Sequence, residues 1–417
     1  MNSLLRVLLA GLVIAGAARA ASAQAPLPAT VAIDDVLRLL NDRSPRTAAD
    51  RASIDVTAAD RITARTYPNP DISYGAVHLV SGLSTGAITQ HQVVFDEPLL
   101  LFRQRQARLD AADLNVGAER ARVERTLGER RLQVRQAFAA LLSRQQQLIV
   151  IQESVADLQR VQGVVRGRAE AGERSDYDVA RIETETERVR VDMMNAEADV
   201  DDAAGQLATL LGFPGWSPRA VGNLEPDAAV PTDVDALWTT AQQRRPSLVA
   251  VRRQQAAARG GLFLAQRERL PVPAFSAGTQ MTRSVTGTST FFGFSMPLPF
   301  TDRGQGAIAR ANAQIRAQDL ALEAELAEAH ADIERATTVL AKRRAALDEL
   351  ETRVVQRVPS LRRMSEDAYR EGGADILELL DAMRSVKDIQ IAHVQQLESS
   401  KLAEEVVVSV AGLDNQP

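Results

Sequence analysis

The chain has 417 residues, of which 45% are hydrophobic but only 4% aromatic, and its 54 acidic and 49 basic side chains leave a net charge of −5. With no cysteine, a disulfide framework, thiol catalysis and thiolate metal sites are excluded. Both charge signs are interspersed without a basic block, so no nucleic acid partner is expected.

Arg6, the short apolar run from Val7 to Ala17 and the small residues Ala21-Ser22-Ala23 read as a secretory signal peptide over residues 1–23. The run is shorter than the ~20 residues of a membrane-spanning helix. Thr30 to Arg65 predicts an amphipathic helix with Ile33, Val36, Leu37 and Leu40 on one face, broken at Pro45. Tyr67-Pro68-Asn69-Pro70 stops it, and residues 71–96 read as a strand pair around Ser81 to Gly86. Residues 102–211 then predict a long helical hairpin turned at Gly172-Glu173-Arg174-Ser175. Leu127, Val134, Leu141, Leu148 and Val155 recur in seven-residue steps, and Ile182, Val189, Ala196, Ala203 and Leu210 repeat them on the return. That spacing holds one seam against a partner helix, as in a coiled coil. At ~1.5 Å per residue the outgoing arm is on the order of 100 Å long.

Residues 213–232, rich in Pro and Gly, read as a linker. A second unit over 233–413 replays the first repeat, 24–212, with a helix, a strand pair over 274–296 and a hairpin over 307–411. Leu326, Ile333, Leu340, Leu347 and Val354 keep its outgoing arm in register, and Pro359 is expected to kink that arm. Residues 414–417 read as a loose tail. Pro45 matches Pro246, Pro98 matches Pro297 and Gly212 matches Gly412 at an offset of about 200 residues, which marks a duplicated module.

The fold class expected is therefore mainly α with a small β part. Two strands per repeat give four per chain, fewer than the about eight of the smallest filled barrels. An open sheet leaves unpaired edges, which a membrane does not tolerate. The strands thus belong to a covered sheet or to a barrel shared between chains. Phe275, Ala277, Thr279 and Met281 alternate with Ser276, Gly278, Gln280 and Thr282, giving an apolar outward face and a polar one.

The repeat, the Tyr67-Pro68-Asn69-Pro70 stop, the Gly172-x-x-Ser175-x-x-Asp178 tip and the Leu210-Leu211-Gly212 end together resemble the TolC-type outer-membrane efflux protein family over nearly the whole mature chain. The resemblance implies a homotrimeric α/β-barrel channel in the bacterial outer membrane, in contact with its lipid, whose helices extend through the periplasm. It implies a periplasmic adaptor (a membrane fusion protein) docked at the hairpin tips, with an inner-membrane transporter as an indirect partner. The tip residues would be Gly172, Glu173, Arg174 and Ser175, and Gly372, Gly373, Ala374 and Asp375. Glu378 and Asp381, one helical turn apart, would line the channel constriction, with Tyr369 associated with the gate. Arg181 departs from this acidic pattern in the first repeat. A solvated charged face and ordinary hairpin turns are the plainer readings of these residues.

No cofactor, metal site or catalytic residue is expected. His78 and His91 could approach each other across the first strand pair, but two ligands do not make a metal site. Gly304-Gln305-Gly306 lacks the spacing of a phosphate loop and reads as a strand-to-helix bend. The expected function is the outer-membrane exit duct of a tripartite efflux pump for small molecules or ions. Rival readings are the exit duct of a type I protein secretion system and a periplasmic coiled-coil adaptor.

Overall fold

A computed structural model describes residues 26–82, 89–171, 175–227, 229–282 and 287–415. The signal-peptide reading and Gly172, Glu173 and Arg174 lie outside them. Strand β1 (Thr30–Val31) leads into α1 (Ile33–Asp42) and α2 (Pro45–Arg65). The break falls at Pro45, which starts α2 because its missing N–H costs nothing in a first turn. Strands β2 (Asp71–His78) and β3 (Thr89–Pro98) precede α3 (Gln104–Glu170), a single helix of 67 residues. Helix α4 (Asp176–Leu211) returns, and β4 (Arg219–Ala220) follows. The second repeat supplies α5 (Val234–Arg244), α6 (Pro246–Glu268), β5 (Ala274–Thr282), β6 (Thr288–Ser295), α7 (Gln305–Arg353), α8 (Val358–Arg370) and α9 (Ile376–Val410).

The heptad seams are the packed ones. Leu127, Val134, Leu141, Ile182 and Val189 are buried in the first hairpin, as are Ile333, Leu340 and Leu347 in the second. One apolar cluster joins α1, the middle of α3 and the end of α4 through Leu40, Leu141, Leu207 and Leu211. Its counterpart in the second repeat gathers Leu237, Ile333, Leu340 and Val407. A third cluster near the tips fuses the two hairpins, with Val165 and Ile182 packed with Tyr369, Ile376 and Leu379.

Two expectations need correction, and the segment between the repeats gains detail. The outgoing arm of the second hairpin is not one kinked helix. It stops at Arg353, passes through a 3-10 turn at Val355–Arg357 and restarts as α8 with Pro359 in its first turn. The segment that joins the repeats after Gly212 is tethered to the first of them, since β4 pairs in parallel with β1 and Leu224 is buried in the core. The chain end is not loose throughout. Leu413–Asn415 forms a 3-10 turn, and Asp414 lies 3.7 Å from the Arg135 guanidinium with its side chain 7% exposed. A sequence pattern registers neither a two-residue strand nor one buried carboxylate, since neither carries a period.

The four long strands form one antiparallel sheet in the order β2-β3-β5-β6, with β2 and β6 at its edges. Phe275 pairs with Phe294, Ala277 with Phe292 and Phe95, and Ile72 with Phe95.

Candidate channel face and channel entrance

Side chains alternate across a strand, so the register assigns each residue to a face. One face carries Ile72, Tyr74, Val93, Phe95, Ala277, Phe292 and Phe294. The other carries Asp71, Ser73, Gln90, Gln92, Asp96, Ser276, Gln280 and Ser289. On the apolar face Ile72, Tyr74, Phe292 and Phe294 are 69%, 66%, 75% and 76% exposed. Aromatic and aliphatic side chains left open to this extent are what a lipid-facing barrel wall requires. The polar face suits a water-filled lumen, and on it the Ser276 hydroxyl donates to Asp96. The outward face expected from Phe275, Ala277, Thr279 and Met281 is this apolar one. His78 and His91 are engaged separately. His78 Nδ1 lies 2.9 Å from Thr89 Oγ1, and His91 Nδ1 lies 2.7 Å from the Tyr74 hydroxyl. Among the described residues no group of three or more His, Cys, Asp and Glu is placed to hold a metal ion. No described helix is long and apolar enough to cross a membrane.

At the opposite end, α8 runs into a turn where Gly372 takes φ +80°, a conformation open to glycine, and Asp375 caps α9. Asp375 Oδ1 accepts the Glu378 N–H at 2.9 Å, while Glu378 Oε2 accepts the Asp375 N–H at 3.3 Å. This reciprocal pair satisfies two orphan donors of the helix start. Asp375-x-x-Glu378 ahead of an apolar run is the sequence signature of this cap, a role that neither the constriction nor the solvated-face expectation for Glu378 contains. The first repeat lacks the device, and the Ser175 side chain accepts no bond there. Glu378 and Asp381 are both exposed, as are Ser175, Gly372, Gly373 and Asp375, with Ala374 partly covered.

Tyr369 is buried at 3% exposure in the apolar cluster between the hairpins. Arg168, near the end of α3, donates to the Tyr369 carbonyl at 3.3 Å and to the Arg370 carbonyl at 2.5 Å. Its guanidinium lies 5.9 Å from the Tyr369 ring centroid. The first hairpin thereby holds the last turn of α8. Sequence reading missed Arg168, because its partners are backbone carbonyls some 200 positions away. It also missed the ion pairs between the hairpins. Asp157 on α3 meets Arg362 on α8, and Glu185 on α4 takes Arg384 on α9 in a two-pronged contact, with Arg384 Nε at 2.7 Å. Glu185 is buried, and the Arg384 guanidinium holds its carboxyl below the ordinary carboxylate range against the opposing effect of burial.

Long helical hairpins at one end and an amphipathic sheet at the other define a channel protein with a membrane-facing part and a long extramembrane conduit. The outer membrane efflux protein family matches residues 36–213 and again 237–413, and the chain belongs to that family. It is similar to the cobalt-zinc-cadmium resistance protein CzcC of Cupriavidus metallidurans, at 24% identity over 88% of this chain and 86% of that protein. Its fold matches the outer-membrane channel OprN with a TM-score of 0.73 at 18% identity, covering 91% of this chain and 89% of OprN. It matches the outer membrane protein VceC of Vibrio cholerae with a TM-score of 0.72 at 15% identity, covering 91% and 96%. The chain is an outer-membrane channel that extends into the periplasm and serves as the exit duct of a tripartite efflux pump.

Proposed function

We propose that three copies of the chain form one duct, that its hairpin tips dock a periplasmic adaptor, and that its cargo is a divalent metal cation handed over by an inner-membrane transporter. The observation that carries this reading is the open-edged sheet. Among the described residues, strands β2 and β6 each have one unpaired edge, and the sheet has an apolar face that belongs in lipid. Backbone groups in a bilayer must be paired, so neighbouring copies have to close the wall.

The metal cargo rests on the similarity to a cobalt-zinc-cadmium resistance protein and on the exposed carboxylates of Glu378 and Asp381. In a trimer each would recur three times around the axis and raise the local cation concentration. Tyr369, clamped through Arg168, would hold the resting position of α8 behind that constriction. Adaptor contacts would come from Gly172, Glu173, Arg174 and Ser175, and from Gly372, Gly373, Ala374 and Asp375. The duct is passive and performs no chemistry on its cargo.

The test is conductance of the purified channel in planar bilayers. Glu378→Ala combined with Asp381→Ala should lower the cation-over-anion selectivity and, in cells, the tolerance to zinc, cobalt and cadmium. Unchanged selectivity in correctly assembled channels would remove both residues from the pore. An Ala374→Cys chain, otherwise free of cysteine, should crosslink to a co-expressed adaptor hairpin.

A further inference from the structure

We infer that the junction between helices and sheet carries an arginine collar that binds anionic phospholipid headgroups of the periplasmic leaflet. This rests on the outer-membrane reading above and adds the chemistry of the lipid. The two junctions are neighbours, since the Leu99 N–H donates to the Pro273 carbonyl at 2.7 Å. On them Tyr67, Phe294 and Phe300 are 60%, 76% and 74% exposed, which is the aromatic belt expected at a membrane–water boundary.

The same junctions carry Arg65, Arg103, Arg105, Arg269 and Arg303, with Arg269 packed beside Gly304. Arg105 marks the depth, because its guanidinium sits 4.7 Å from the Tyr67 ring centroid while its Nε donates to the Arg65 carbonyl at 2.8 Å. Arg65, Arg103, Arg269 and Arg303 are exposed, and among the described residues none of them has a carboxylate partner. The nearby Arg108 and Arg61, by contrast, are paired with Glu268 and Asp113. Unpaired cations beside a belt of exposed aromatics match a layer of lipid phosphates.

Backbone conformation adds an independent observation. Both repeats enter their long helix by the same turn. Gln104 Oε1 accepts the Phe102 N–H at 2.9 Å, and Gln305 Oε1 accepts the Arg303 N–H at 2.7 Å. The residue before each glutamine is left-handed, at φ +61° for Arg103 and +70° for Gly304. Glycine takes that conformation freely, whereas Arg103 is the one non-glycine residue at positive φ among the described residues. A side chain kept where glycine folds better points to a contact that repays the strain, and among the described residues no carboxylate or hydrogen-bond partner engages the Arg103 guanidinium.

The test uses the full chain purified in detergent and reconstituted into bilayers of equal parts phosphatidylglycerol and phosphatidylethanolamine. Lipids retained through detergent exchange are then counted by native mass spectrometry. The wild type should retain phosphatidylglycerol several-fold over phosphatidylethanolamine. The variant Arg103→Gly, Arg269→Gln, Arg303→Gln should fall to the bilayer ratio. Arg103→Gly alone should lose part of the enrichment while unfolding at a temperature no lower than wild type, which separates lipid binding from folding. Equal retention by wild type, or undiminished enrichment in the triple variant, overturns the inference. So does enrichment removed by millimolar inorganic phosphate at constant ionic strength, which would reassign the collar to a soluble anion. A chain that never enters the bilayer overturns the inference together with the barrel reading, and is recognised by the absence of any retained lipid.

Discussion

Gly212 ends α4 with its Cα facing the ring of Pro45, the residue that begins α2, so closely that a Cβ on Gly212 would lie 3.2 Å from Pro45 Cδ. The second repeat has the same joint. A Cβ on Gly412 would lie 2.8 Å from the carbonyl carbon of Arg244 and from the nitrogen of Arg245, just ahead of Pro246. The short returning helices are thus continued by α2 and α6, and each long outgoing helix faces a partner built from two pieces set end to end. Both glycines are left-handed, at φ +83° and +70°. Alanine at either position meets a strained backbone and a crowded neighbour. Gly412→Ala should cost about 2–4 kcal/mol, because backbone cannot yield, and Gly212→Ala about 1–2 kcal/mol, because a proline ring can shift slightly. Equilibrium unfolding of the two variants under one condition checks the order; equal losses would contradict it.

The sheet has its own close approach. A Cβ on Gly278 would lie 2.7 Å from both Phe291 Cε1 and the Val93 carbonyl oxygen. The Phe291 ring covers the bare Cα on the polar face, filling space that a side chain would otherwise take. Gly278→Ala should lower stability by about 1–3 kcal/mol. Phe291→Ala in the same chain should restore only part of the loss, since the Val93 carbonyl remains. The heat resistance of the detergent-purified protein on gels is the readout.

The ion pair between Glu185 and Arg384 couples the two hairpins near their tips. Arg384 keeps about a third of its surface exposed, so Glu185→Gln should cost about 1–3 kcal/mol and not the 3–5 of a fully enclosed pair. The loss should appear first as faster amide exchange in α8 and the start of α9. Exchange rising only in the sheet would contradict this assignment.

Opposite pH trends are expected near the tips, at Glu185, and beside the middle of α3, where Arg135 meets Glu405 and Asp414. The folded value of Glu185 is lowered, chiefly by its bond to Arg384. Its contribution is therefore present above the ordinary carboxylate value of about 4.3 and lost as pH falls through the lowered one. Glu405 and Asp414, beside Arg135 at 3.1 and 3.7 Å, are raised by burial, which outweighs the attraction of Arg135. Their contribution is present at low pH and lost as pH rises through the raised values. The Tm difference between Glu405→Gln and wild type should therefore move in favour of the variant as pH rises. For Glu185→Gln it should move in favour of wild type. Parallel pH profiles would contradict the assignment.

Periodic features were legible in the sequence because burial imposes a period. Leu127, Val134 and Leu141 announce their seam by seven-residue spacing, and Phe275, Ala277 and Thr279 announce their face by alternation. Proline and glycine also spoke plainly at Pro45 and Gly372. What stayed hidden depends on single long-range contacts. Arg168 on the Tyr369 carbonyl, β1 beside β4, and Asp414 beneath Arg135 join residues far apart with no recurring spacing. The pairing of α4 with α2 was invisible for the same reason, although the glycine–proline landmarks at both joints were already in view.

The most direct test of the account is the mass of the detergent-purified protein. Light scattering corrected for bound detergent should give a single particle of three chains, each 45.2 kDa before removal of the signal peptide, and extraction from cell envelopes should require detergent. A monodisperse single chain, soluble without detergent, would leave the edges of β2 and β6 unpaired in water and contradict the channel.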